Sequence, residues 1–254
     1  SRERNMKAGI LYIVGTPIGN LEDITLRALR ILRDVDVILC EDTRVTKRLL
    51  ERYEITGKQL VPYNEQQSGV TAEKVIAWLE EGKNVALASD AGTPGVSDPG
   101  SKLVSSIVKK FGSYNPKLRT SQLQDLPTIA AVPGPSALTA ALSVAGVPMH
   151  DFVFLGFLPH KKGRETLFKE IAASSRAVVF YESPHRILKT LESLRQHAST
   201  KRVTVCRELT KIHEEVKSGT AAELLEYFQN NPEKVKGEFV VLVSIMGDGL
   251  KPSA

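Results

Sequence analysis

A chain of 254 residues that is 42% hydrophobic and 25% charged, with a net charge of +5, is long enough for one large or two modest domains with substantial cores. The excess is spread evenly, 18 Lys/Arg against 16 Asp/Glu over residues 1–134 and 16 against 13 over 135–254, so no basic tail or arm marks an obligate polyanion binder. Two cysteines, Cys40 and Cys206, argue against a disulfide scaffold or a cysteine zinc site, and no apolar run reaches the roughly 20 residues of a membrane helix.

Read from Met6, the chain alternates strand and helix. Ile10–Val14 is a strand ended by Gly15-Thr-Pro-Ile-Gly-Asn20, and a helix follows with Ile24, Leu26, Leu29, Ile31 and Leu32 inward and Asp23 or Thr25 as cap. Val35–Leu39 is the second strand, leading through Cys40-Glu-Asp-Thr-Arg44 to a helix over Thr46–Tyr53. A short strand at Leu60–Pro62, the polar Tyr63-Asn-Glu-Gln66 and an amphipathic helix over Thr71–Glu81 come next. Val85–Ala88 is a buried strand that opens into Ser89-Asp-Ala-Gly-Thr-Pro-Gly-Val-Ser-Asp-Pro-Gly100, and Ser101–Lys110 is helical. Gly112–Leu126 has no period and reads as a surface loop before the strand Thr128–Val132 and the helix Ala137–Ala145.

The second half has another rhythm. Strands are expected at Phe152–Leu158, Ala177–Tyr181 and Phe239–Ile245, and helices at Glu165–Ala173, Pro184–His197 and Thr220–Gln229. Arg202–Cys206 and Thr210–Lys217 are close enough in sequence to pair as antiparallel strands, which makes this sheet mixed. The fold class is α/β: a parallel-sheet N-terminal domain over 6–134, a mixed-sheet C-terminal α/β domain over 135–248, and a cleft between them.

The loop from Ser89 to Gly100 carries three glycines, two prolines and the carboxylates of Asp90 and Asp98, with no basic residue. At a strand's carboxyl end it is placed to bind a ligand, and its charge suits a polar, partly cationic one better than a phosphate. Gly15–Gly19 is neither a dinucleotide fingerprint nor a P-loop. Glu41 and Asp42 could take ribose hydroxyls or cap the next helix. Arg44, Lys47, Arg48 and Arg52 share a helix face that could grip nucleic-acid phosphates or simply be solvated. Two charged clusters, Glu182-Ser-Pro-His-Arg186 and Arg207 through Glu215, follow strands of the second half. The five histidines, at 150, 160, 185, 197 and 213, have no metal-ligand spacing, so no metal is expected.

The ordered set Val14–Asp23, Cys40–Arg44, Ser89–Gly100, Pro133-Gly-Pro-Ser-Ala137, Gly156-Phe-Leu-Pro159, Glu182–Arg186, Arg207-Glu-Leu-Thr-Lys211 and Gly237-Glu-Phe239 closely resembles one family. This is the bacterial ribosomal RNA small subunit methyltransferase I family of the tetrapyrrole methylase superfamily, and the resemblance spans Lys7 to Ile245. It implies two α/β domains, a homodimer, and S-adenosyl-L-methionine as methyl donor for the ribose 2′-oxygen of a cytidine in the decoding region of 16S rRNA; the cytoplasm is the compartment expected of a chain with neither a membrane-length apolar run nor a signal-peptide pattern. It also implies methyl-donor contacts from Pro17, Ser89, Asp90, Gly92, Val96, Ser136, Ala137, Tyr181 and Glu182. Tyr63–Gln66 departs from a His-containing family motif, so no imidazole role transfers there.

A ribose hydroxyl is a poor nucleophile that a placed base would activate. Glu182, His185, Lys211, Glu214 and Glu215 are the candidates for that work. Arg44, Lys47, Arg48, Arg52, Lys161, Lys162, Arg164, Arg186 and Arg207 are the candidates for holding RNA of the small ribosomal subunit. Two other readings share parts of this pattern: a C-methyltransferase acting on a tetrapyrrole, and an RNA-binding module that keeps a methyl-donor pocket without turnover.

Overall fold

The structure, a computed structural model, describes residues 7–63, 71–97, 100–111, 126–147 and 150–245. Asn64–Gln66, Asp98 and residues 112–125 of the expected surface loop lie outside the described residues. The chain divides into two compact units, Ser1–Ser136 and Ala137–Ala254.

In the first unit, β1 (Ile10–Val14), β2 (Val37–Cys40), β3 (Gln59–Pro62), β4 (Val85–Ala88) and β5 (Thr128–Val132) form a wholly parallel sheet in the order β3-β2-β4-β1-β5. Every residue of β2 and β4 is buried, as a strand covered on both faces requires. The helices α1 (Leu26–Asp34) and α2 (Thr43–Arg52) cover one face through Ala28, Leu29, Leu32, Leu49 and Leu50. On the other, α3 (Ala72–Glu80) and α4 (Gly100–Phe111) pack through Val75, Leu79, Leu103 and Ile107.

Capping sets where these helices begin. The Thr25 hydroxyl accepts from the Ala28 N–H, and the Asp42 carboxylate accepts from the Arg44 N–H. The second cap starts α2 at Thr43, three residues earlier than its apolar period indicates. Leu26 is also not inward as its apolar character suggested; it is 87% exposed. The buried arc of α1 is Ala28, Leu29, Ile31 and Leu32, and at 100° per residue Leu26 falls on the opposite side.

In the second unit, β6 (Phe152–Phe157), β7 (Ala177–Glu182), β8 (Lys201–Arg207), β9 (Glu215–Gly219) and β10 (Phe239–Ile245) form a sheet in the order β6-β7-β10-β8-β9. Only β6 and β7 run parallel, so the sheet is mixed. α5 (Ala137–Val144) lies against β10. The helices α6 (Arg164–Ala173), α7 (Ile187–His197) and α8 (Ala221–Asn230) supply a core around Phe168, Leu191 and Phe228, packed with Phe180 and Phe239 of the sheet. A reciprocal capping box between Thr220 and Glu223 starts α8.

β4 lies between β1 and β2, yet its chain leaves toward the opposite helix layer. Its exit loop therefore stands in the crevice that such a reversal creates at the strands' carboxyl ends. That end closes on a contact between two glycines. A Cβ added to Gly15 would lie 2.7 Å from the Gly134 Cα, and one added to Gly134 would lie 2.8 Å from the Gly15 carbonyl oxygen. Gly15→Ala and Gly134→Ala are each expected to destabilise the protein by about 1–3 kcal/mol in urea unfolding, the cost of overpacking.

Candidate functional site

Four loops meet at the carboxyl end of the first sheet, and they are stitched together. Thr16 and Gly92 exchange N–H···O hydrogen bonds at 3.0 Å in both directions, a two-residue bridge between the β1 and β4 loops. The Thr16 hydroxyl also donates to the Ser89 carbonyl at 3.0 Å, and the Ser89 hydroxyl to the Ala91 carbonyl at 3.0 Å. Asp90 accepts the Asp42 N–H at 2.9 Å, which ties the β2 exit to the same loop. The Thr93 hydroxyl donates to the Pro135 carbonyl at 3.1 Å and fixes the segment leaving β5. Gly92 sits at φ +84°, and a Cβ there would touch Ile18 at 3.4 Å and the Pro135 oxygen at 3.6 Å.

Of the residues assigned to the methyl donor, Pro17, Ser89, Asp90 and Gly92 are thus brought into one crown of loops. Val96 lies further along the β4 loop and is partly exposed, and Ser136 follows the pinned Pro135. Glu41 and Asp42 add two carboxylates beside Asp90, whose N–H reaches Glu41 at 3.4 Å. Arg44 grips Asp42 through Nη2 at 2.6 Å and holds that carboxyl down to about 2, so it stays ionised. Cys40, just before this cluster, is buried, and burial together with the neighbouring carboxylates pushes its thiol pKa up.

The second unit joins the two charged clusters into one row. Glu182 pairs with Phe239 across β7 and β10, Phe239 with Arg207 across β10 and β8, and Arg207 with Glu215 across β8 and β9. Directly paired residues point to the same face, and Phe239 belongs to the helix-covered core. The row therefore lies along the covered face at one end of the sheet.

Glu182 is the hub of that row, with no exposed side-chain surface. Its Oε1 accepts the Ser183 N–H at 2.8 Å, and its Oε2 accepts the Thr190 hydroxyl at 2.6 Å. Arg186 Nε approaches Oε1 to 2.9 Å, off the direction of a hydrogen bond, and Arg164 approaches Oε2 to 3.5 Å. Arg164 also donates to the Thr190 hydroxyl at 2.6 Å. The same two guanidiniums hold the turn after β6, Arg186 through the Leu158 carbonyl at 2.8 Å and Arg164 through the Pro159 carbonyl at 3.1 Å.

At the other end of the row, Arg207 is buried and donates to the Lys236 and His213 carbonyls, each at 3.0 Å. Glu215 is bound by Tyr227 and by Lys234. Burial alone would raise its pKa, but Tyr227, Lys234 and Arg207 bring it below the ordinary value. Lys211 spans Glu208 and Glu238 at 2.9 Å each. Its burial favours the neutral amine, and the two carboxylates outweigh that and raise its pKa.

The residues singled out in the sequence fall into two groups, those engaged inside the protein and those exposed. Arg164 and Arg186 lie against the buried Glu182, and Arg207 is engaged with the His213 and Lys236 carbonyls. Glu182, Lys211 and Glu215 are each engaged with partners inside the protein. Tyr181 and Glu182, both assigned to the methyl donor, are consecutive on β7 and so point to opposite faces, and Tyr181 stacks edge-on with Phe154 and Phe157. His185, in the turn before α7, and Glu214 are exposed, as are Lys161, Lys162, Arg44, Lys47, Arg48 and Arg52. Thr190 was not singled out, since a threonine inside a helical period carries no signal of its own. Among the described residues no group of three or more His, Cys, Asp or Glu side chains could hold a metal ion.

Residues 10–225 match the family model of tetrapyrrole (corrin/porphyrin) methylases. The ribosomal RNA small subunit methyltransferase I of Thermotoga maritima is 43% identical over 93% of this chain and 98% of its own length. That of Escherichia coli O157:H7 is 44% identical over 92% of this chain and 77% of its own. Among solved structures, the methyltransferase CobJ superposes with a TM-score of 0.63 at 20% identity, covering 94% of this chain and 95% of its own. A cobalt precorrin-4 methyltransferase gives 0.60 at 18% identity, covering 96% and 97%. At those identities the structures speak for the fold alone.

Thr190 generates a direct test of the hub. Thr190→Val removes the hydroxyl that serves both Glu182 and Arg164 and is expected to cost about 1–3 kcal/mol, the penalty for a buried polar group left short of a partner. Thr190→Ser keeps the hydroxyl and should recover most of that stability in the same urea titration.

Proposed function

The chain belongs to the tetrapyrrole methylase family and, within it, to the ribosomal RNA small subunit methyltransferase I family, and from that membership we propose that it methylates the ribose 2′-oxygen of a cytidine in the decoding region of 16S rRNA. The methyl donor in this reading is S-adenosyl-L-methionine.

The observation that carries the reading is the chemistry of the loop crown. The described parts of the β1 and β4 loops contain no basic residue, and Glu41 and Asp90 set carboxylates among glycine turns beside the Asp42–Arg44 pair. A phosphate-bearing ligand would meet repulsion there. A ligand with a sulfonium, an amino-acid end and ribose hydroxyls meets backbone groups and carboxylates it can use, so the residues fit it. Pro17, Ser89, Asp90 and Gly92 would hold it, with Val96 and Ser136 at the margins. Once bound, that ligand supplies an activated methyl group.

The rest of the work falls to the chain. Asp90, fixed by the Asp42 N–H, orients what it binds, and orientation is the main source of rate in an in-line displacement. The acceptor hydroxyl must lose a proton, and we assign that proton to an imidazole nitrogen of His185. This histidine is exposed in the turn that the Glu182 hub braces, through the Ser183 N–H on one side and Arg186 on the other. Glu214 is a poorer choice, since it accepts the Thr210 N–H within its own loop. Lys161 and Lys162, on the turn held by Arg164, and the exposed cations of α2 hold the RNA.

A homodimer, on the strength of the family resemblance, and a cytoplasmic location complete the reading. No helix among the described residues is long and apolar enough to cross a membrane.

Labelled-methyl transfer to undermethylated small subunits tests the proposal. The expected result is incorporation at the ribose of one cytidine. Asp90→Asn should lower turnover by about 10²-fold or more through lost positioning, and His185→Ala should lower kcat by about 10²–10⁴-fold with methyl-donor affinity retained. Binding of small-subunit RNA without transfer, or transfer to a tetrapyrrole carbon instead, would overturn it.

A further inference from the structure

The even spread of charge along the sequence conceals a concentration in space. α1 and α2 together hold seven basic side chains, Arg27, Arg30, Arg33, Arg44, Lys47, Arg48 and Arg52, against Asp34 and Glu51. The excess belongs to the helices themselves: the segments that lead into and out of them carry Glu22, Asp23, Asp36, Glu41, Asp42 and Glu54, so the cations occupy the helix surfaces and the carboxylates their ends. Both helices lie on one face of the first sheet and share one core, so these residues belong to one surface. The surface is braced internally: Arg33 donates to the Tyr53 carbonyl at 3.3 Å, the Tyr53 hydroxyl to the Leu21 carbonyl at 2.6 Å, and Lys58 to the Val35 carbonyl at 3.0 Å.

Little of this charge is neutralised in place. Arg44 is paired with Asp42, and Lys47 approaches Glu51 to only 3.7 Å. Among the described residues no ion pair engages Arg27, Arg30 or Arg48, and all three are exposed. Exposed apolar groups accompany the cations. Leu26, 87% exposed, opens α1, and Val45, 39% exposed, lies in the first turn of α2. Because each helix follows its strand, both apolar residues stand at the loop end of the unit, and the cations run down the helices from there.

We propose that the α1–α2 face is a docking surface for ribosomal RNA, with Arg27 and Arg30 of α1 joining the α2 cations on phosphates and Leu26 packing on an unstacked base or ribose near the crown of loops. The proposal rests on the rRNA reading above and names the surface that reading needs. Concentrated positive charge on a rigid face matches the spaced negative charge of a phosphate backbone, and an exposed aliphatic group amid cations matches the apolar faces that single-stranded RNA presents. An acidic protein or a second copy of this chain would also meet the charge. RNA is favoured because arginine predominates among the cations, and the guanidinium fork suits phosphate.

The test compares the wild type with Arg27→Gln/Arg30→Gln and, as a control for general charge, Lys109→Gln/Lys189→Gln, two exposed lysines placed on α4 and α7. Binding of undermethylated small-subunit RNA is measured against salt concentration, together with S-adenosyl-L-methionine affinity and the thermal midpoint. The expected result is weaker RNA binding for Arg27→Gln/Arg30→Gln and a salt slope shallower by about two, one per phosphate contact removed. Methyl-donor affinity and midpoint should be unchanged, and the control should keep the wild-type slope. An unchanged slope in Arg27→Gln/Arg30→Gln while the wild type binds and methylates the RNA would overturn this surface and leave the proposed function standing. A change in oligomeric state with RNA binding intact would overturn it in favour of a protein contact. Failure of the wild type to bind the RNA at all would overturn both.

Discussion

The reciprocal backbone pair between Thr16 and Gly92 is the contact on which the binding end of the first unit depends. A parallel sheet leaves every strand's exit loop at one end, and those loops have no sheet partners of their own. Here the β1 and β4 loops become partners for each other at the switch in connection direction, where the sheet alone would leave a crevice. The Gly15–Gly134 approach is a consequence of the same closure, because side chains there would hold the β1 and β5 exits apart. The carboxylates of Glu41, Asp42 and Asp90 stand together at this end, Asp42 paired with Arg44 and Asp90 held by the Asp42 N–H. Fixed polar groups at that end cost no reorganisation when a ligand arrives.

A different constraint rules the second unit. Burying a carboxylate is costly unless its charge and both oxygens are served, and Glu182 is buried completely. Arg164, Arg186, Thr190 and the Ser183 N–H are what serving it requires. Because the two guanidiniums also grip the Leu158 and Pro159 carbonyls, the hub sets the paths of the turns after β6 and β7. Exposed residues on those turns, Lys161, Lys162 and His185, are therefore presented from a braced frame. The Arg207 end repeats the device. Its guanidinium holds the His213 and Lys236 carbonyls, and Lys211 clamps Glu208, which itself sits at φ +51°.

Much of the architecture was legible in the chain because the period of apolar residues and the turn residues agree. Ile10–Val14, Val85–Ala88, Thr128–Val132 and Phe239–Ile245 are strands over the residues their composition indicates. The errors have physical causes. α2 starts early because the Asp42 cap outweighs the apolar period, and Leu26 faces water because one residue more or less turns a helical side chain by 100°. The crown was legible as glycines and carboxylates after strands. The roles of the arginines were not: Arg48 and Arg186 look alike in sequence, and only the fold shows one in solvent and the other against a buried carboxylate. Thr190 was invisible for the same reason, since its value lies in standing between Glu182 of β7 and Arg164 of α6. The cationic surface of α1 and α2 was hidden because the carboxylates at the ends of these helices, Glu22, Asp23, Asp42 and Glu54 among them, balance it along the chain.

The most direct measurement of the central claim, that the crown of loops is built for a cationic ligand without phosphate, is a calorimetric titration of the protein with S-adenosyl-L-methionine and, separately, with ADP. Stoichiometric binding of the sulfonium compound, weakened in Asp90→Asn, with no heat from ADP is the predicted result. Binding of ADP at the same site with equal or greater affinity, or sulfonium binding indifferent to Asp90, would contradict it.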